Sequence, residues 1–355
     1  MKEEVLAFAS PRWGVFGLAL GSVVIMVVSL GAGALSISWW EALGALWRGA
    51  CGFPGEETLA VQDAVIWQLR LPRIMLGFLA GGVLGLCGAA LQGLFRNPLA
   101  DPALIGVSGG GALGAVAAIV LGTPALAGRG PWWLSFYLAP AAAFLGALVV
   151  TMAVYRIAHW EGQVRVGTLL LAGIAMNAIA GAAIGWLSYV ATDSQLRELS
   201  FWNLGSVASG GWEGLVGCAP CVLLALLTLP RYARALNAIA LGEANARYMG
   251  IDVRATKRGV VIASALGVGA VVSVTGGIGF VGLIAPHLFR LMFGADHRWV
   301  LPGAFLLGGA ILCLADLVAR VAVAPAEIPV GIIVSTVGAP FFLGLLLREK
   351  RRGRA

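Results

Sequence analysis

Residues Gln68 to Gly114 read QLRLPRIMLGFLAGGVLGLCGAALQGLFRNPLADPALIGVSGGGALG, and their pattern decides the fold. Two glycine-laced apolar runs flank a short polar turn, FRNPLADP, and each run is long enough to cross a bilayer as a helix rising about 1.5 Å per residue. A basic Arg-Leu-Pro-Arg entry at Arg70 to Arg73 precedes the first run. Outward from this stretch, apolar segments of about 20 residues recur from end to end with no polar block between them. The chain is 59% hydrophobic and 12% charged over 355 residues, and a soluble domain so composed has too little polar surface to cover itself. The expectation is a membrane protein with a single transmembrane domain over residues 1–355.

Segments long enough to span begin near Trp13, Leu71, Ala103, Tyr137, Val166, Trp212, Gly259, Gly279, Val300 and Gly331. They predict an all-α membrane protein of about ten transmembrane helices with both termini on one side. The segments at Gly279 and Gly331 are short or proline-interrupted. The one at Trp13 is too long for a cleaved signal peptide and lacks a clear cleavage site, so a retained first helix is expected. If the N-terminus is cytoplasmic, the outer side keeps only Arg48, Arg70, Arg73, Arg129, Arg197 and Arg320 of the 24 Lys and Arg, and the other 18 are cytoplasmic. The positive-inside rule asks for that asymmetry. The net charge of +7 therefore reflects topology rather than affinity for nucleic acid.

Site chemistry is sparse. Cys87, Cys218, Cys221 and Cys313 fall in spans, where thiols behave as small apolar residues, and only Cys51 is placed outside. His159, His287 and His297 fall at cytoplasmic helix ends, away from any path through the membrane. Glycines repeat every four residues at Gly77, Gly81 and Gly85, at Gly106, Gly110 and Gly114, and at Gly181 and Gly185, a spacing that lets helix backbones approach closely in lipid. Gly109 to Gly114 matches a dinucleotide-binding pattern, but no strand precedes it, so helix packing is the reading. A Walker A loop needs Lys directly after Gly, yet the lysines follow Met1, Thr256 and Glu349. This chain is thus not a P-loop ATPase. A secondary transporter would need ionisable groups near the midplane, and the nearest pair, Asp316 and Arg320, falls near the outer end of a span. A membrane-embedded enzyme would need a nucleophile with a base or paired acids, and no such set occurs.

The longest polar and basic cytoplasmic segment is RYARALNAIALGEANARYMGIDVRATKR, Arg231 to Arg258. Its centre, about residues 238–254, has helix-forming composition, with Gly242 and Gly250 suited to helix ends. From these residues alone a short helix outside the bilayer and an amphipathic loop held to anionic lipid both stand. Asn177, Ser188, Tyr189 and Arg197 are polar groups in otherwise apolar surroundings on and after the segment at Val166. They are candidates for a translocation path, with the alternative that Asn177 makes a helix–helix hydrogen bond and Arg197 is a solvated loop charge.

The chain resembles the permease subunits of ABC importers for iron-siderophore complexes, haem and vitamin B12. The resemblance rests on RLPR at Arg70, NPLADP at Asn97, LLLAGIAMNA at Leu169, GFVGLIAPHLFR at Gly279, DHRWVLP at Asp296, ADLVAR at Ala315, EIPVGI at Glu327 and GAPFF at Gly338, in the order and spacing of that family. It implies a ten-helix permease of a type II importer in the bacterial inner membrane, forming a homodimer with one path between the copies. It also implies two ATPase subunits, which carry the ATP and magnesium, and one periplasmic substrate-binding protein. No cofactor is expected on this chain. By the same resemblance Leu241, Gly242, Glu243, Ala246, Arg247 and Gly250 form the helix that engages the ATPase. Arg70, Arg73 and Arg320 match docking arginines, which predicts a basic periplasmic pocket receiving an acidic residue from each lobe of the binding protein. The alternative there sets Arg70 and Arg73 as headgroup anchors and pairs Arg320 with Asp316. The run TDSQLRELSFWNLGS at Thr192 is most like the haem-importing branch, so haem is expected first, ferric siderophore second and cobalamin third.

Overall fold

The computed structural model describes residues 10–33, 35–52, 59–122, 132–160, 163–208 and 210–352; Lys2, Arg129 and Arg354 lie outside them. Among the described residues seven helices are long and apolar enough to span a membrane, and three shorter apolar helices accompany them, matching the ten expected segments. In chain order the helices are α1 (Pro11–Gly31), α2 (Trp39–Cys51), α3 (Ala60–Phe95), α4 (Val107–Gly122), α5 (Trp132–Ala158), α6 (Val166–Val190) and α7 (Asp193–Leu204). There follow α8 (Gly211–Thr228), α9 (Ala233–Ala240), α10 (Glu243–Tyr248), α11 (Val253–Thr275), α12 (Val281–Phe293), α13 (His297–Val321) and α14 (Val330–Arg352). Among the described residues one strand pairing occurs, of two residues each and antiparallel, His159–Trp160 with Gln163–Val164, between α5 and α6.

Helix α3 is the axis. Of its apolar stretch 83% is buried, against 17% for α6 at the periphery. Glycine makes this centre possible: a Cβ on Gly81 or Gly85 would lie 2.2 Å from the carbonyl oxygen of Gly308 or Ala304 on α13, so the two helices cross backbone to backbone. In α4 the expected dinucleotide-like run is a packing face, with a Cβ on Gly110 or Gly114 falling 2.4 Å or 2.0 Å from Gly146 or Ala142 oxygen on α5. Gly77 is slacker, its nearest neighbours at 4.0 Å, and Gly181 and Gly185 on α6 face open space. The last two pack against nothing among the described residues.

Local chemistry sets where spans begin. The turn after α3 closes with Arg96 at φ 51°, the Asn97 side chain accepting from the Leu99 N–H at 2.9 Å and Asp101 from the Ala103 N–H at 2.8 Å. The span expected near Ala103 therefore starts at Val107, after a 3₁₀ turn over Pro102–Ile105. The span expected at Gly259 starts at Val253, where Asp252 caps it by accepting from the Ala255 N–H at 2.9 Å. Two helices lie outside both the expected spans and the polar segment 231–258: α2 and α7, which open on capping boxes, Ser38 with Glu41 and Thr192 with Gln195.

The bundle has two chemically distinct ends. At one, the Arg12 guanidinium lies 5.9 Å from the Trp299 ring centre, Arg290 reaches Gln92 Oε1 at 2.6 Å, and Asn237 donates to Asp296 Oδ1 at 2.7 Å. Helix α1 begins and α14 ends there, and so do the arginines of residues 231–258. The other end gathers Arg48, Arg70, Arg73, Asp316, Arg320 and Glu327. His297 departs from the expected interfacial histidine: it is buried, with Nδ1 2.8 Å from Asn237 Oδ1. His287 lies within α12 rather than at its end, its ring 6.4 Å from that of Phe341.

Candidate functional site

At the basic end, residues 233–254 build a projecting helix–turn–helix–turn. Helix α9 buries Ala235, Leu236 and Ile239 against the bundle and stops at Leu241. Gly242 takes φ 116°, open only to glycine, and turns the chain into α10. The far end of α10 is a Schellman motif, with Ile251 N–H donating to Ala246 oxygen at 3.0 Å and Gly250 N–H to Arg247 oxygen at 2.9 Å, Gly250 being left-handed at φ 81°. Both glycines thus sit at helix ends, where their spacing places them. Glu243 anchors the unit from within, its Oε1 2.7 Å from Nζ of the buried Lys257, while Arg247 is a looser partner at 3.9 Å. Ala246, on the inner side of α10, is fully buried. What projects is Leu241, Tyr248 and Met249, 68%, 90% and 63% exposed. Tyr248 and Met249 escaped the sequence reading, because which side of so short a helix faces out depends on the Glu243–Lys257 pair.

At the opposite end the three arginines expected at a basic periplasmic pocket are largely buried and paired within the chain. Arg70 is buried and donates to the carbonyls of Leu30 at 2.6 Å, Gly31 at 2.9 Å and Leu35. Arg320, equally buried, pairs with Asp316 Oδ2 at 3.0 Å and donates to Ala32 and Ser29 oxygens, each at 3.2 Å. These carbonyls belong to the last turn and exit of α1, where a helix leaves its acceptors without internal partners and carries the negative end of its dipole. Two arginines therefore cap α1 and tie it to α3 and α13. Arg73 bridges Asp316 Oδ1, at 2.8 Å and 3.0 Å, and both oxygens of Glu327, at 2.8 Å and 2.9 Å. Of the three arginines only Arg73 meets a partner open to solvent, since the Glu327 side chain is 46% exposed. Arg320 does pair with Asp316, as the alternative reading expects.

The path residues divide. Asn177 makes the helix–helix hydrogen bond of the alternative reading: its Nδ2 donates to Ala103 oxygen at 3.0 Å, its side chain fills the space beside Gly109, and α6 is thereby hung on the turn before α4. Ser188 is half-buried, Tyr189 is 85% exposed and Arg197 is exposed, so these three can meet a solute or a second chain. Arg197 borders a hollow of about 230 Å³ with Leu196, Ser200, Phe201 and Leu204 on α7. Helix α7 is seated by close backbone approach: a Cβ on Gly276 or Gly331 would lie 2.1 Å from Trp202 or Leu204 oxygen. The seat joins α7 to the break between α11 and α12 and to the start of α14. Behind α7, a hollow of about 560 Å³ is lined by Glu198 and Glu213 among Phe144, Trp202 and Cys218. Among the described residues no group of three or more His, Cys, Asp or Glu is arranged to hold a metal ion, and all five cysteines are free thiols.

Comparison with known proteins places this architecture. The model of the FecCD transport family matches residues 21–348. The chain is 41% identical to the hemin transport system permease protein HmuU of Yersinia pestis, over 94% of this chain and 97% of that one. To the vitamin B12 import system permease protein BtuC of Klebsiella pneumoniae it is 37% identical, over 97% of this chain and 96% of that one. A solved structure of an inward-facing metal-chelate type ABC transporter superposes with a TM-score of 0.80 at 33% identity, covering 94% of this chain and 98% of that one. The chain therefore belongs to the FecCD transport family, as a multi-pass permease subunit of an ABC importer whose ATP hydrolysis sits on a separate ATPase subunit and whose family implies a substrate-binding partner.

Proposed function

We propose that this chain is one half of a homodimeric permease in the bacterial inner membrane that moves haem from periplasm to cytoplasm, driven by two ATPase subunits and fed by one periplasmic binding protein. The observation that carries the substrate is the likeness to the hemin permease, 41% identical along nearly the full length of both chains. Cobalamin is the second reading, supported by the vitamin B12 permease at 37%, and ferric siderophore the third. A sparsely polar path suits each of these large, mostly apolar solutes, since strong ligands would hold the solute rather than release it. Helix α6 supports the dimer: Trp186 and Tyr189 are 76% and 85% exposed beside the open faces of Gly181 and Gly185.

The gathering of basic side chains at the end that carries α10 supports a cytoplasmic orientation for it and for both termini. There Leu241, Tyr248 and Met249 form an apolar knob suited to a groove on the ATPase, held by Gly242, Glu243, Ala246, Arg247 and Gly250. On the other face, Arg73 is the route by which the binding protein engages: its incoming carboxylate takes the place of Glu327. Transport into proteoliposomes containing the permease, its ATPase and its binding protein tests the substrate. Haem accumulation that requires ATP is the expected result, and cobalamin accumulation without haem accumulation overturns the reading.

A further inference from the structure

Two hollows on the surface between α5 and α11 share a residue. The first is an apolar furrow of about 170 Å³, lined by Leu148, Met152, Tyr155, Val261, Ile262 and Ala265. The second, of about 220 Å³, is walled by Tyr155, Arg156, His159, Arg254 and Arg258. Tyr155 closes the basic end of the furrow and one side of the cup, with the His159 ring 6.2 Å away and tilted by 30°. From Leu148 to Tyr155 the helix rises roughly 10 Å, so the furrow runs from the rim of the bundle well into the apolar span.

The cup is unbalanced in charge. Arg156, Arg254 and Arg258 are exposed, and among the described residues no acidic side chain lines the hollow and the ion pairs leave all three out. Three guanidiniums around one small hollow repel one another until an anion enters, and a phosphate accepts paired N–H bonds from such groups. Basic cups between spanning helices at the membrane rim suit anionic headgroups. A soluble anion would satisfy the cup alone. The furrow that continues from it into the span supplies the second half of an amphiphile.

We propose that the cup and furrow together bind one anionic phospholipid, its phosphate among Arg156, Arg254 and Arg258 and an acyl chain along Met152 and Ile262. The headgroup bridges the end of α5 to the first two turns of α11. Those turns directly follow Asp252 and the Schellman turn that ends α10, so the lipid braces the base of the projecting segment.

Native mass spectrometry of the detergent-purified chain, titrated with phosphatidylglycerol and with phosphatidylcholine, tests the proposal. Phosphatidylglycerol is expected to be retained preferentially, weakened about fivefold by each of Arg156→Gln, Arg254→Gln and Arg258→Gln and roughly a hundredfold by the triple variant. Arg234→Gln, an exposed arginine at the same end, should change nothing. Ile262→Trp fills the furrow from an exposed position and should weaken the lipid while leaving inorganic phosphate unaffected. Equal retention of the two lipids, or of phosphatidylglycerol by the triple variant, overturns the proposal. So does inorganic phosphate or glycerol 3-phosphate binding as tightly as the lipid, which would make the cup a free-anion site.

Discussion

Asp316→Ala separates a structural charge network from an open docking pocket. Asp316 is 3% exposed and holds two cations at once, Arg73 at 2.8 Å and Arg320 at 3.0 Å. Removing it leaves Arg320, 6% exposed, facing Arg73 with no carboxylate between them. Truncating one partner of a buried pair costs about 3–5 kcal/mol, more than a hundredfold in a folding equilibrium constant. Glu327 also grips Arg73 with both oxygens, yet its side chain is 46% exposed, and Glu327→Ala is expected to cost only about 0–1 kcal/mol. Pairing Asp316→Ala with Arg320→Met removes the stranded charge but leaves the Ala32 and Ser29 carbonyls without their donor, so recovery should be partial. The assay is the half-life of monodisperse protein in detergent at a fixed temperature, followed by size-exclusion chromatography. Asp316→Ala should shorten it sharply and Glu327→Ala barely. Equal half-lives for the two variants would refute the burial reasoning, and the docking pocket would return.

Gly250 holds φ 81° in the Schellman turn, so Gly250→Val should strain it by about 1–2 kcal/mol and reduce ATPase stimulation and uptake together, while Gly250→Asn, which tolerates that region, retains most of both. Unchanged stimulation in the valine variant would count against coupling through α10. Gly81→Val drives a side chain into the Gly308 carbonyl and should abolish folded yield, whereas Gly181→Val, facing open space, should leave the protomer folded and lower only its dimer fraction. A Gly181→Val protein that stays fully dimeric in detergent argues for a different interface. A cysteine at Glu327 should react with an impermeant maleimide from outside intact cells, and one at Tyr248 only after permeabilisation; the reverse pattern inverts the orientation.

How much the sequence determined varies with the range of the physics involved. Hydropathy is local and additive, so the spans followed from the order of apolar segments along the chain, and the positions of Lys and Arg between them gave the expected separation of basic from less basic ends. Gly242 and Gly250 were readable because positive-φ backbone, which turns the chain at many helix ends, is open to glycine without strain. The capping boxes of α2 and α7 are equally local, and Ser38 with Glu41 and Thr192 with Gln195 were signals present in the sequence but not used. Motifs carried the family, because the order of RLPR, NPLADP and ADLVAR survives translation into one dimension.

The arginines show what one dimension withholds. Arg73 meets an acid 243 residues away, and Arg320 reaches a carbonyl 291 residues away. Whether a cation near a membrane surface meets solvent or a helix end depends on where another helix stops. Only the packing of α1 against α13 decided that Arg70 and Arg320 face inward, because the unpaired carbonyls of the α1 terminus had to find donors and those guanidiniums were within reach. Asn177 is the same case in miniature, its Nδ2 donating to Ala103 oxygen across a helix crossing. The sequence by itself therefore determined which groups exist and which segments enter the membrane. Tertiary structure decided which polar groups were left over for function, because in an apolar medium leaving a backbone acceptor such as those at the end of α1 unpaired costs several kcal/mol, and nearby guanidiniums are spent on it.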